Sequence, residues 1–178
     1  NRIAMAPMCM HSAAEDCGIC DFHLVHYGAR ALGGAGLIFL ETLAVQANGL
    51  INAGDLGIWD NTPGPGLSRV FEVIHKMGAL ADAQIGHGGR LLGVETLLAV
   101  APSAIPFADG YRVPSALSEP EIFEMIDSFQ AAAKRARMSG FDVLEIHTAH
   151  GYLLNELLSP LANHSEEQWG GSHEKRYR

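Results

Sequence analysis

The feature that most limits what this chain can fold into is an alternation. Four short, nearly continuous apolar runs recur along it: "RIAMAPM" (2–8), "LIFLET" (37–42), "LADAQIGH" (80–87) and "FDVLEIH" (141–147). Runs of this kind suit strands covered on both faces. Amphipathic stretches separate them. The first, "DFHLVHYGARALGGAG", places Phe22, Val25, Ala29 and Leu32 on one helical face before a glycine stop. The second, "GLSRVFEVIHKMGA", carries Leu67, Val70, Phe71, Ile74 and Met77. The third opens on a capping box of Ser118 and Glu121 with Pro120 in the first turn. Its stripe is Ile122, Phe123, Ile126, Phe129 and Ala133, and Gly140 ends it. An irregular segment, about 88–117, lies before this helix.

Strands alternating with helices predict an α/β fold with a parallel sheet. An open doubly wound sheet and a (β/α)8 barrel both satisfy the pattern. Barrels gather their chemistry at the C-terminal ends of the strands. The suggestive residues lie there: Cys9, then Glu41 and Thr42, then Gln84 and His87, then His147 and His150. No G-x-G-x-x-G follows the first run, which disfavours a dinucleotide-binding sheet. A whole barrel needs about 250 residues and eight strands. This chain of 178 residues supplies four strands, so 1–178 reads as the N-terminal half of a (β/α)8 barrel. Half a barrel has two open edges and an uncovered apolar interior. It is expected to be unstable alone, or to pair with a missing C-terminal half or with a copy of itself as a homo-oligomer.

Composition excludes several classes. Hydrophobic residues make up 48% and charged residues 18%, a globular balance. The net charge of −8 leaves no basic stripe for nucleic acid. No apolar run reaches the roughly 18 residues that cross a bilayer, and no signal peptide is apparent. Three cysteines, Cys9, Cys17 and Cys20, are an odd count, so a disulfide framework is not expected and a reducing cytoplasmic setting is.

The densest chemistry is in "EIHTAHGYLLNELLSP" (145–160). His147 and His150 could hold zinc, with a third ligand from His87, Glu145 or Cys9. They could instead donate hydrogen bonds to a carbonyl or phenolate oxygen, with Tyr152 as proton donor. They could also simply fill a loop. Cys9 suits a small buried hydrophobe, a cofactor-tuning thiol or a nucleophile. Cys17 and Cys20 form one C-x-x-C, where a strong zinc signal needs two, and read as an adventitious pair in a surface loop. Gln84 sits in an apolar strand and needs partners, which a planar heterocycle would provide. His26 reads as a packed, hydrogen-bonded core histidine.

Longer blocks then carry a resemblance. "NRIAMAPMCM", "FHLVHYGARALGGAGLIFLET", "AQIGHGGR", "APSAI" and "FDVLEIHTAHGYLLNELLSPLANHSEEQWGGSHEKRYR" resemble, in order, the old yellow enzyme family of FMN-dependent ene-reductases. The cysteine in "PMCM" resembles the subgroup in which a cysteine approaches the flavin. The resemblance implies a (β/α)8 barrel binding FMN at its C-terminal face, with NAD(P)H as reductant and an enone or enal as substrate. It implies that His147 and His150 grip the substrate oxygen and that Tyr152 gives the proton. Gln84 would bond the flavin's pyrimidine edge, Cys9 would lie near its reactive nitrogen, and Pro7, Met8 and Thr42 would line the ring. His11 stands where the subgroup usually has a substrate-binding tyrosine. Ser165 and Trp169 replace a common arginine and tyrosine. The family's arginine at the flavin's N1 side and its phosphate loops fall on later strands, so about half the FMN contacts are outside 1–178. A non-catalytic half-barrel, and a zinc-dependent barrel hydrolase on His147, His150 and Cys9, are the competing expectations.

Overall fold

The computed structural model describes residues 1–177. In chain order it forms β1 (Ala4–Met5), α1 (Asp21–Leu32), β2 (Leu37–Phe39), β3 (Leu43–Ala44), β4 (Leu56–Gly57) and α2 (Gly64–Lys76). There follow β5 (Leu80–Gly86), β6 (Val100–Ala101), β7 (Ser115–Ala116), α3 (Glu119–Ser139), β8 (Val143–Ile146), α4 (Leu153–Leu158) and α5 (His173–Arg176). β1, β2, β5 and β8 lie side by side, all parallel, in the order in which they occur in the chain. Each successive pair is joined through one of α1, α2 and α3, the crossover that parallel strands require. β3 prolongs the sheet beside the end of β5, with β4 outside it. The expected half-barrel is therefore the observed one. The strands are shorter than the apolar runs predict, because only their central residues complete the ladder.

The outer face of the sheet packs on the helices. Ala81, Ala83 and Ile85 of β5 and Ile38 of β2 meet Tyr27, Leu67, Val70, Phe71, Ile74, Met125, Ala132 and Ala136 in one apolar cluster. α2 buries the predicted stripe except Met77, which is 45% exposed at its C-cap. The capping box of α3 is present: Ser118 N–H donates to Glu121 Oε2 at 2.7 Å. Gly140 closes the helix at φ 100°, a left-handed position suited to glycine.

The predicted stripe of α1 is wrong, and that of α3 is right for Ile122, Phe129 and Ala133 but not for Phe123 and Ile126. Phe22, Val25, Ala29 and Leu32 of α1 face solvent, and the buried face is His23, His26, Tyr27 and Ala31. On α3, Phe123 and Ile126 are exposed while Met125, Ala132 and Ala136 are buried. A helix of a closed barrel has apolar positions facing both the sheet and the flanking helices, so apolar count alone misplaces the sheet-facing side. His26 is packed as expected, against Phe22 with ring centroids 5.3 Å apart, yet its Nε2 has no hydrogen-bond partner. Cys20 is not in a plain surface loop. It is the N-cap of α1, with Sγ 3.3 Å from His23 Nδ1.

Candidate active site

The C-terminal ends of the strands meet at one cleft of about 590 Å3. The stretch after β1 contributes Pro7, Met8 and Cys9, and the stretch after β2 contributes Thr42. β5 contributes Gln84, and β8 with its following turn contributes Glu145, His147, His150 and Tyr152. Eight of the nine site residues expected from the sequence therefore line a single cavity. They do so because parallel strands joined by right-handed crossovers all end on the same side.

Gln84 is buried, and its Oε1 accepts a hydrogen bond from Thr42 Oγ1. That bond fixes the amide plane and turns its NH2 away from Thr42. In register across the sheet, Gln84 is level with Glu145. Gly86 keeps this floor open, since a Cβ there would sit 2.8 Å from Thr42 Cγ2 and 3.2 Å from His147 Cβ.

The histidine pair is built by the turn after β8. His150 (φ 59°) and Gly151 (φ 76°) are both left-handed, and for histidine that conformation costs roughly 1 kcal/mol or more. The turn sets the two rings edge to face, centroids 4.9 Å apart, with Tyr152 at the same centroid distance from His147. Ala149 N–H donates to His147 Nδ1 at 3.2 Å, so the neutral His147 ring carries its proton on Nε2. That Nε2 lies 3.1 Å from His150 Nδ1. Burial, then the neighbouring His150, lowers the pKa of His147 and keeps it neutral. Burial raises Tyr152, so its phenol stays protonated. Burial, then the Asp55 carboxylate, pushes the Cys9 thiol up to about 11. Cys9 is thus a thiol rather than a thiolate nucleophile.

His11 is the exception. It does not line the cleft; its Nδ1 lies 2.6 Å from Asp55 Oδ1, and Asp55 also accepts from the Ile51 and Asn52 N–H groups. Glu41 and His87 sit at strand ends but behind the cavity wall. Glu41 accepts from Met10 N–H and from the Tyr27 hydroxyl. Burial alone would raise its pKa, but bonds from His23, Met10 and Tyr27 outweigh that and hold it low. Burial drives His87 down to about 3, so it is neutral, and its Nδ1 accepts from Gly89 N–H. Sequence reasoning also missed Glu156. Buried in α4, it accepts from Arg90 N–H at 3.1 Å and so ties the loop after β5 to the helix behind Tyr152.

Zinc ligation by the histidines finds no support in this geometry. Among the described residues, the only three ligating side chains close enough to share an ion are Cys9, Glu41 and Asp55. An apolar groove of about 380 Å3, lined by Ile122, Met125, Phe129, Leu154 and Trp169 among others, adjoins the cleft and shares Ile146 and Thr148, the two residues flanking His147, with it.

A profile of the "NADH:flavin oxidoreductase / NADH oxidase family" matches residues 1–178. The chain belongs to this family, the old yellow enzyme family. An old yellow enzyme homologue from Zymomonas mobilis superposes with a TM-score of 0.90 at 34% identity, over 99% of this chain and 52% of that one. Morphinone reductase in complex with tetrahydroNAD gives 0.91 at 29%, over 99% and 53%. A 2-naphthoyl-CoA reductase, at 24% identity, shares the fold with a TM-score of 0.94 over 29% of its length. The chain spans about half the length of the first two, and it aligns with the N-terminal half of the barrel. No helix among the described residues is long and apolar enough to cross a membrane.

Proposed function

We propose that 1–178 is the first half of a cytoplasmic, FMN-dependent ene-reductase domain, a partial barrel that works once its interior is closed. The observation that carries this is the convergence of His147 Nε2 and His150 Nδ1, 3.1 Å apart, beside Tyr152 in a cleft floored by Gln84 and Thr42.

The residues fit a flavin. Gln84 offers an oriented amide to a pyrimidine edge, Cys9 an un-ionised S–H, and Pro7, Met8 and Thr42 a wall for a planar ring. FMN, when bound, supplies the hydride chemistry, taking hydride from NAD(P)H and passing it to the β-carbon of an α,β-unsaturated carbonyl compound. The chain's own groups do the rest. His147 donates through Nε2 to the substrate oxygen, where negative charge develops. His150 must donate through Nδ1 to the same oxygen. In this structure Nδ1 faces His147 Nε2, so substrate binding must bring the His150 tautomer that carries its proton on Nδ1. Tyr152, held protonated by burial, gives its hydroxyl proton to the α-carbon. His11, if it serves the substrate, must first leave Asp55.

The test is a visible spectrum of the protein mixed with FMN and then desalted. A retained flavin band, bleached by NADPH and restored by an enone, is the expected result. Tyr152→Phe should slow restoration by about a hundredfold or more and leave bleaching unchanged. A colourless protein would favour a non-catalytic half-barrel.

A further inference from the structure

The N-terminal end of α1 holds a thiol, an imidazole and a carboxylate in line, and none of the three lines the cleft. Cys20 Sγ lies 3.3 Å from His23 Nδ1 and 3.1 Å from Ser12 O. On the far side of the ring, His23 Nε2 faces Glu41 Oε1 at 3.5 Å. His23 and Glu41 are closed to water, whereas Cys20 is only half-buried.

The placement of protons gives each group a role. The Cys20 N–H donates to His23 Nδ1 at 3.1 Å, so the neutral ring carries its proton on Nε2 and turns its lone pair toward the thiol. Nε2 is buried without a hydrogen-bond partner, since its approach to Glu41 is longer than a made bond. A second proton on the ring, taken up at Nδ1, turns that approach into a charge-assisted contact. Glu41 is held in place for it by the Met10 N–H and the Tyr27 hydroxyl. The remaining titratable neighbours of His23 are Tyr27 and His26. Burial, then Glu41, raises the Tyr27 phenol, and burial, then Arg30, lowers His26, so neither competes for the proton near pH 7. A nucleophile beside a base that a third group orients is the arrangement that activates a thiol. The other two cysteines lack it: burial raises both, with Asp55 beside Cys9 and Asp16 beside Cys17.

We propose that Cys20, His23 and Glu41 form a modification site at which the thiol adds to soft carbon electrophiles, of the α,β-unsaturated carbonyl class. Sγ bonds to the β-carbon as the C=C π bond opens. The thiol proton passes to His23 Nδ1 and from there to the α-carbon, while Glu41 steadies the imidazolium between the two transfers. Nothing is oxidised or reduced, and no group leaves. The site needs neither flavin nor NAD(P)H, so it stands or falls apart from the ene-reductase reading.

The test is addition of acrylamide, a conjugated amide, to the folded chain without reductant, each cysteine being followed by peptide mass spectrometry. At pH 7, Cys20 should be modified at least ten times faster than Cys9 or Cys17. Its rate should fall less than threefold from pH 8 to pH 7, where an unassisted thiol loses roughly tenfold. His23→Gln should slow Cys20 at least tenfold at pH 7 and less than threefold at pH 10, where a thiol ionises without a base. Because a buried substitution can prevent folding, the pH dependence of the unsubstituted chain is the second measurement and decides by itself. A Cys20 no faster than Cys17 at pH 7, a tenfold fall between pH 8 and pH 7, or an unchanged rate in folded His23→Gln would overturn the proposal.

Discussion

The two faces of the sheet differ in kind. The outer face is finished: β2 and β5 put Ile38, Ala81, Ala83 and Ile85 against three helices, and nearly every partner is closed to water. The inner face is not. It carries Asp82 without a partner, Glu145 and Gln84 beside the cleft, and a free flank at each outer strand. Ile3 next to β1 is 65% exposed and Ile146 of β8 is 51% exposed. Each strand–helix unit can satisfy its outer face from within the chain, because the covering helix is the next element in sequence. The inner face can be satisfied only by strands from across the axis.

The sharpest way to break this comparison is to damage the finished face. Phe71 is 1% exposed in α2 against the sheet. Phe71→Ala should cost about 3–5 kcal/mol in urea unfolding. A loss below about 1 kcal/mol would mean that the outer core does not hold the half together.

Asp82 tests the unfinished face through pH. Burial, then Glu145 on β8, raises its carboxyl from 3.8 to about 7. The folded chain therefore holds a proton that the unfolded chain has released between about pH 4 and 7. Stability should be highest below that window and fall as pH rises through it. The full shift corresponds to about 4 kcal/mol. That figure is the upper limit of the expected loss. Asp82→Asn should flatten the profile between pH 4 and 7, and an unchanged slope would remove Asp82 as its source.

Smaller effects sharpen the outline of the finished core. Ser118→Ala removes the side chain of the α3 N-cap, where Ser118 and Glu121 are paired, and should lower the denaturation midpoint by about 1 kcal/mol equivalent. Leu32→Ser on the solvent side of α1, where Leu32 is 73% exposed, should change stability by less than about 0.5 kcal/mol. A loss above about 2 kcal/mol there would restore the stripe expected from periodicity alone.

Much of the candidate site is legible in the sequence alone. Cys9, Thr42, Gln84, His147 and His150 can be grouped because a parallel barrel brings its strand ends together, whatever the intervening sequence. What escapes such reasoning does so because local information is too short. Glu41 and His87 share the strand-end position but turn behind the wall, a choice made by partners 14 residues away (Tyr27) and two residues away (Gly89). His11 fits the substrate position by motif, yet Asp55, 44 residues on, holds its ring. The orphan state of Asp82 leaves no mark in "LADAQIGH", where it reads as one polar residue in a strand.

By itself, the sequence determined the alternation of strands and helices, the capping of α3, the half-barrel class and the family, since these depend on neighbours along the chain. Only the tertiary structure decided which side of α1 and α3 meets the sheet, which strand-end side chains enter the cleft, and that Asp82 is buried with no hydrogen-bond partner. Those outcomes depend on groups brought together from distant positions, and burial sets their energies only once the sheet has formed.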